Sequence, residues 1–238
     1  SGVTVSDGTN TGNYHVTYVT NTVGTITQAA LTVRTNTAYS RTYDVTTNAS
    51  GTATTASGTL YAGDSLLGGT FMFDNKNVGT GKSITTSGVT VSDGTNTGNY
   101  HVSYVTNTVG TITQAELTVR TNTAYSRTYD VTTNASGTAT TASGTLYAGD
   151  SLLGGTFMFD NKNVGTNKVI TTSGVTVSDG TNTGNYHVTY VTNTVGTITQ
   201  AELTVRTNTA YSRTYDVTTN ASGTATTASG TLYAGDSL

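Results

Sequence analysis

An all-β chain built from tandem repeats is the fold class this sequence predicts, on three observations. The 86-residue stretch 1–86 is written again as 87–172 and resumed as 173–238. The first two copies differ only at Thr17/Ser103, Ala30/Glu116, Gly81/Asn167 and Ser83/Val169. The first copy holds 22 threonines among 86 residues, with Val, Tyr and Ile beside them, and these types favour strands. No segment sustains a 3.6-residue apolar period. A fixed period of this kind marks an array of modules. The expected modules are small, β-sandwich-like (Ig-like) and joined end to end as a rod, with β-grasp-like modules or a solenoid as alternatives.

Within one repeat, strands are expected at 3–6, 14–21, 24–28, 31–35, 40–45, 52–55, 59–62, 69–73 and 83–86. Each run is rich in β-formers and bounded by turn residues such as Asp7-Gly8, Gly12-Asn13, Gly63-Asp64 and 74–81. Alternation puts Tyr14, Val16 and Tyr18 on one face, the expected core face, and His15, Thr17 and Val19 on the other. Leu31 and Val33 alternate with Thr32 and Arg34, and Phe71 and Phe73 with Thr70 and Met72.

Module boundaries need not follow the copy numbering. The most apolar segment, Leu66 to Phe73, cannot be a linker, and the third copy stops before its own Phe pair. A cut between Gln28 and Ala29 gives whole modules at 29–114 and 115–200. Residues 1–28 then close a preceding module and 201–238 open a following one. No Pro/Gly/Ser linker separates modules, so stiff joints are expected. The chain starts inside a repeat and is expected to be a fragment, so the lack of a leader carries no weight.

Composition narrows the function classes. Ten basic and 13 acidic residues give a net charge of −3. No basic stripe for nucleic acid is present, no polybasic segment for anionic lipid, and no apolar run of the roughly 20 residues that span a bilayer. Cysteine is absent, so neither disulfides nor Cys–metal sites can form.

Several motifs invite chemistry. Gly63-Asp64-Ser65-Leu66 matches the nucleophile block of GDSL esterases, but the one histidine per repeat lacks an Asp three residues before it, so a hydrogen-bonded turn is the expectation. His15, His101 and His187 are one repeated position, expected to face solvent, because a metal site needs converging ligands. The loop 6–13 has a single carboxylate, Asp7, too few for a calcium site. Thr pairs at Thr9/Thr11, Thr20/Thr22, Thr25/Thr27 and Thr35/Thr37 lack the short even spacing of an ice-binding face. Asn48, Asn134 and Asn220 sit in N-x-S glycosylation sequences expected in loops. Tyr39, Tyr43 and Tyr61 are the candidate ligand-facing residues, because exposed rings stack on sugars.

The segment Phe73-Asp74-Asn75-Lys76-Asn77-Val78-Gly79-Thr80-Gly81-Lys82-Ser83-Ile84, followed by Gly88-Val89-Thr90-Val91 and Gly98-Asn99-Tyr100, resembles the YDG and MBG repeats of large bacterial adhesins, including filamentous-haemagglutinin-like exoproteins. Ala30-Leu31-Thr32-Val33 opens the unit similarly, and Thr42-Tyr43-Asp44 stands where that family carries Tyr-Asp-Gly, with Val45 in place of the glycine. The resemblance covers the whole repeat. It implies extracellular β-rich repeats on the bacterial surface and no catalytic residues.

The expected function is therefore a structural stalk of an adhesin or biofilm-matrix exoprotein, not an enzyme, with no cofactor. Its expected partners are adjacent modules of the same chain, with surface glycan or a host or matrix ligand met through other domains. The alternative is that the repeats themselves bind glycan or a surface multivalently.

Overall fold

The computed structural model describes residues 2–6, 8, 12–36, 38–94, 98–121, 124–180, 184–207 and 210–238. Asp7, Thr9, Thr11 and Thr37, which the calcium-loop and threonine-pair readings used, lie outside them. Among the described residues every regular element is a strand, and no helix is present. In chain order the first repeat supplies β1 (Ala29–Thr35), β2 (Ser40–Thr42), β3 (Asn48–Ala49), β4 (Ala53–Gly58), β5 (Ser65–Phe73), β6 (Gly79–Ser92), β7 (Tyr100–Tyr104) and β8 (Asn107–Thr113). The second supplies β9 (Ala115–Thr121), β10 (Tyr125–Thr128), β11 (Asn134–Ala135), β12 (Ala139–Gly144), β13 (Ser151–Phe159), β14 (Gly165–Ser178), β15 (Tyr186–Tyr190) and β16 (Asn193–Thr199). The third adds β17 (Leu203–Thr207) and β18 (Ala225–Gly230).

Two compact units are present: residues 1–36, 51–70 and 85–106, and residues 37–50, 71–84 and 107–238. The second unit holds the whole second repeat, whose sheets are mixed. One has the order β12-β9-β15, with β9 antiparallel to β12 and parallel to β15. The other, a curled half-barrel, has the order β10-β16-β14-β13-β11, with β10 and β16 parallel and the remaining pairs antiparallel. Ig-type sheets are antiparallel, and these parallel pairs depart from that pattern. Parallel pairing needs a long crossover, here most of the repeat.

Alternation decides which side chains enter the half-barrel core. Phe157, Phe159, Ile170 and Ile198 are buried there, while Met158 between the two Phe residues is exposed. Gly196 makes the packing possible, because a Cβ there would stand 2.5 Å from Phe159 Cε1 and 3.0 Å from the Lys168 carbonyl oxygen. β13 and β14 bend at Gly154, Gly155 and Gly174, whose φ values of 66°, 113° and 66° suit glycine. Past the bend, β14 runs beside β9 and β15 and buries Val175 and Val177.

The second unit also contains the first repeat's β2, β3 and β8, with Phe71–Phe73 of β5 and residues 79–84 of β6. Phe73, Ile84 and Ile112 are buried there. The first unit centres on the sheet β4-β1-β7. Leu31, Val33, Val89 and Tyr100 form its core, with Ala53, Leu60, Leu66, Val91 and Val102 packed around them. Each such aliphatic side chain contributes about 1.5–3 kcal/mol on burial.

Several strand expectations are corrected. Residues 3–6, 14–21 and 24–28 carry no strand. Counterparts of 14–18 and 25–27 pair with strands 71 positions earlier, as Tyr100 does with Ala29 and Thr111 with Ser40, and those of 3–6 with the strand 21–27 positions earlier, as Val175 does with Gly154; the described residues hold no strand at those offsets from 3–6, 14–21 or 24–28. Tyr14 is accordingly exposed, whereas its counterparts Tyr100 and Tyr186 are buried; Tyr18 is exposed, and so are its counterparts Tyr104 and Tyr190, against the expected core face. The counterpart of 14–21 is also interrupted, with β7 ending at Tyr104 and β8 starting at Asn107. Residues 59–62 lie outside the strands and lead into a turn. Asn48 and Asn134, expected in loops, pair with Met72 and Met158 at a sheet edge.

Candidate functional site at the repeat junction

Within the second unit, several polar and aromatic side chains converge at the contact between the first repeat and the second. The first repeat's contribution starts at a turn after β2. Asp44 Oδ1 accepts from the Thr46 amide at 2.9 Å and from its hydroxyl at 2.7 Å. Arg41 pairs with Asp44 and donates to the Thr46 carbonyl. Burial pushes the Asp44 carboxyl up, but the Thr46 bonds and the Arg41 guanidinium outweigh it and hold it below its ordinary value. The turn ends β2 short of the expected 40–45 and forces Val45 to a φ of 64°, which a β-branched residue rarely adopts. Tyr43 is thereby presented outward, its amide donating to the Thr113 carbonyl at 2.9 Å.

Tyr43 is wholly buried by the second repeat. Its ring meets Tyr147 and Tyr186 edge-on, at centroid distances of 5.8 Å and 5.3 Å. Its hydroxyl donates to Asp150 Oδ2 at 3.1 Å. Tyr186 donates to the same oxygen at 2.6 Å while its hydroxyl accepts from the Tyr147 amide at 3.0 Å. Burial, and then the Asp150 carboxylate, push the Tyr43 and Tyr186 hydroxyls well above the ordinary tyrosine value, so both stay neutral donors. Lys76 lies 5.7 Å from the Tyr43 ring centroid.

A second set of bonds lies beside the first. The Val78 amide donates to Asn185 Oδ1 at 2.9 Å, and Asn185 Nδ2 donates to Asn77 Oδ1 at 3.2 Å. Asn185 is fully buried and its amide donates to Asp179 Oδ2 at 3.1 Å. Buried polar groups satisfied in this way fix one geometry, because any other leaves them without partners. The tyrosine contact recurs one repeat on, where Tyr129 donates to Asp236 Oδ2 at 3.2 Å and meets Tyr233 edge-on at 5.8 Å.

A family model, the YDG domain, matches residues 27–108 and 113–194. The chain belongs to the YDG domain family. Comparison with curated proteins found no match, and comparison with solved structures found none. The junction therefore lies between two tandem YDG domains, and Tyr43 and Tyr129 are the tyrosines of their Thr-Tyr-Asp-Val segments. The left-handed φ of Val45 and Val131, 64° in both, is the conformation a glycine adopts freely.

The candidate ligand-facing tyrosines have different surroundings. Tyr39 packs on Phe73 at 5.8 Å, Tyr43 is buried in the junction, and Tyr61 is exposed. In the second YDG domain the same positions, Tyr125, Tyr129 and Tyr147, take Phe159, Tyr233 and Tyr43 as separate ring partners. Asp150, from the GDSL-like block, is committed to two tyrosine hydroxyls. His187 is exposed beside Glu116, with Nδ1 and Oε1 3.2 Å apart. Among the described residues no group of three or more His, Cys, Asp or Glu converges to hold a metal.

Sequence reasoning missed Asp150, Asn185, Lys76 and Asn77 as junction residues. The signal was present: GDSL, KNVG and GNY recur at the repeat period. Their pairing with each other across successive repeats has no trace in a single copy.

Proposed function

We propose that this chain is a structural segment of a bacterial cell-surface adhesin or matrix exoprotein. Its YDG domains act as stiff spacers, joined end to end as a rod that projects a distal binding domain. The site of action is extracellular, and the immediate partner of each domain is the next domain of the same chain. Glycan or host ligands are met by other parts of the parent protein. One observation carries this reading: Tyr43 of one repeat is fully buried on Asp150, Tyr147 and Tyr186 of the next. A junction of that kind resists bending, because any tilt exposes the aromatic ring and breaks hydrogen bonds to a carboxylate. Near-verbatim repetition and the likeness to adhesin repeats support the same reading.

Small-angle scattering on arrays of two, four and six repeats tests it. The maximum dimension is expected to grow linearly, by roughly 30–45 Å per repeat if strand-length modules stack end to end. A plateau, or growth as the square root of repeat number, would refute the spacer mechanism.

A further inference from the structure

The first and last strands of the second repeat are neighbours, and they run in the same direction. Tyr186–Tyr190 of β15 lies parallel to Ala115–Val119 of β9, and Gly196–Thr199 of β16 lies parallel to Tyr125–Thr128 of β10. Both pairs keep one register, 71 positions apart, although they belong to different sheets. The opening and closing segments of the repeat are thus zipped together through both sheets. Side chains reinforce the ladder along its length. Gln114 Nε2 donates to the Gly184 carbonyl at 3.0 Å, and Thr118 Oγ1 and Thr189 Oγ1 stand 2.9 Å apart. Where the chain changes sheet, Asn193 Nδ2 donates to the Thr121 carbonyl at 3.0 Å, and the Val191 amide donates to the Val119 carbonyl at 3.0 Å. At the far end, the Tyr129 amide donates to the Thr199 carbonyl at 2.9 Å. The first repeat keeps the same register, with Tyr100 opposite Ala29 and Thr111 opposite Ser40.

Tension along a tandem array enters a domain through its first strand and leaves through its last. Here it pulls β9 towards its N-terminal end and β16 towards its C-terminal end. Parallel segments loaded in this way can part only by sliding along each other. Their hydrogen bonds are evenly spaced along the strands, so all of them carry the load together. Segments pulled apart from one end would lose the same bonds one after another. The core opposes sliding as well. A slip of one residue turns every side chain of a strand to the opposite face, and Leu117, Val119 and Ile198 are all buried.

We propose that the parallel pairs β9/β15 and β10/β16 form a shear clamp, which makes each YDG domain bear tension applied along the chain. The added function is load bearing, and the resistance is kinetic: the clamp slows unfolding under force without any need for a larger equilibrium stability. The proposal deepens the spacer reading and rests on it, because a chain held at its two ends is loaded along this axis.

Single-molecule pulling of the full 238-residue chain in two directions tests the clamp. The chain has no cysteine, so pairs of introduced cysteines serve as handles. Glu116→Cys with Gln200→Cys loads the second repeat in shear. Glu116→Cys with His187→Cys pulls on two residues opposite each other in the ladder and peels β9 from β15. All three side chains are exposed, and the two variants share the first handle and move only the second, so the direction of load separates them. At one loading rate, the rupture force in shear is expected to exceed the peeling force by about threefold or more, because the bonds break together and not in turn. Shear rupture should release roughly 280–300 Å of chain, less the folded separation of the handles. Equal forces, or a lower force in shear, overturn the proposal. Scattering from the repeat arrays reads shape without load and keeps the two readings apart. Linear growth with equal forces sinks only the clamp, whereas a plateau with direction-dependent forces sinks only the spacer.

Discussion

One side chain occurs in three environments at identical sequence positions, and this sets up an internally controlled experiment. Tyr43 is fully buried, Tyr129 is partly buried, and Tyr215 is 86 % exposed. Their local turns are the same, with Asp44, Asp130 and Asp216 each accepting from the threonine two residues on. Intrinsic effects of replacing Tyr by Ala on the turn and on the unfolded chain therefore cancel across the series. Tyr43→Ala removes a buried aromatic ring and leaves a cavity, which costs about 3–5 kcal/mol. It also strips one donor from the Asp150 carboxylate, which keeps its bond from Tyr186. Tyr129→Ala is expected to cost about half as much, because half-buried area scales the transfer term. Tyr215→Ala should fall within about 0.5 kcal/mol of the parent. Urea unfolding of the whole chain reads these directly. With an m-value of about 3 kcal/mol/M, the Tyr43→Ala transition moves down by roughly 1–1.7 M. Equal shifts for all three variants would show that the tyrosine acts within its own turn, and would refute a junction built on its burial.

Other expectations follow from the same geometry. Val131→Gly relieves a left-handed β-branched residue, worth about 1–2 kcal/mol, against about 0.5–1 kcal/mol for the glycine's freedom when unfolded, so the midpoint rises slightly. A lowered midpoint would mean that the valine's contacts outweigh its strain. Gly196→Ala drives a methyl against Phe159 and the Lys168 carbonyl and is expected to cost about 1–3 kcal/mol, read by thermal melting; an unchanged melt would contradict the close approach. Alkali should unfold the chain. Tyr43 and Tyr186 ionise above their ordinary value of 10.0 when folded, so the folded state holds its protons longer. Their contribution is complete below pH 10 and is lost as pH rises beyond it, by up to about 1.4 kcal/mol per pH unit for each. A Tyr43→Phe, Tyr186→Phe chain should show a shallower alkaline slope, and an identical slope would count against the buried hydroxyls.

The all-β class, the repeat period and the in/out placement of Leu31, Val33, Phe71 and Phe73 were legible in the sequence, because period-two alternation and turn residues are local properties. So was the likeness to YDG repeats. Strand direction was not. Alternation reads the same in a parallel and an antiparallel neighbour, so the parallel pairs β9/β15 and β10/β16 had no local signature. The junction was hidden for a related reason. Tyr43, Lys76 and Asn77 look like surface turn residues within their own repeat. Tyr43 and Asn77 acquire a role only against Asp150, Asn185 and Tyr186, up to 143 positions further on, and Lys76 only over the Tyr43 ring buried there. By itself the sequence determined what recurs and which side of each strand is apolar. Only the tertiary structure decided which recurring surfaces meet, because burial of a tyrosine hydroxyl on a carboxylate depends on two segments brought together by the fold.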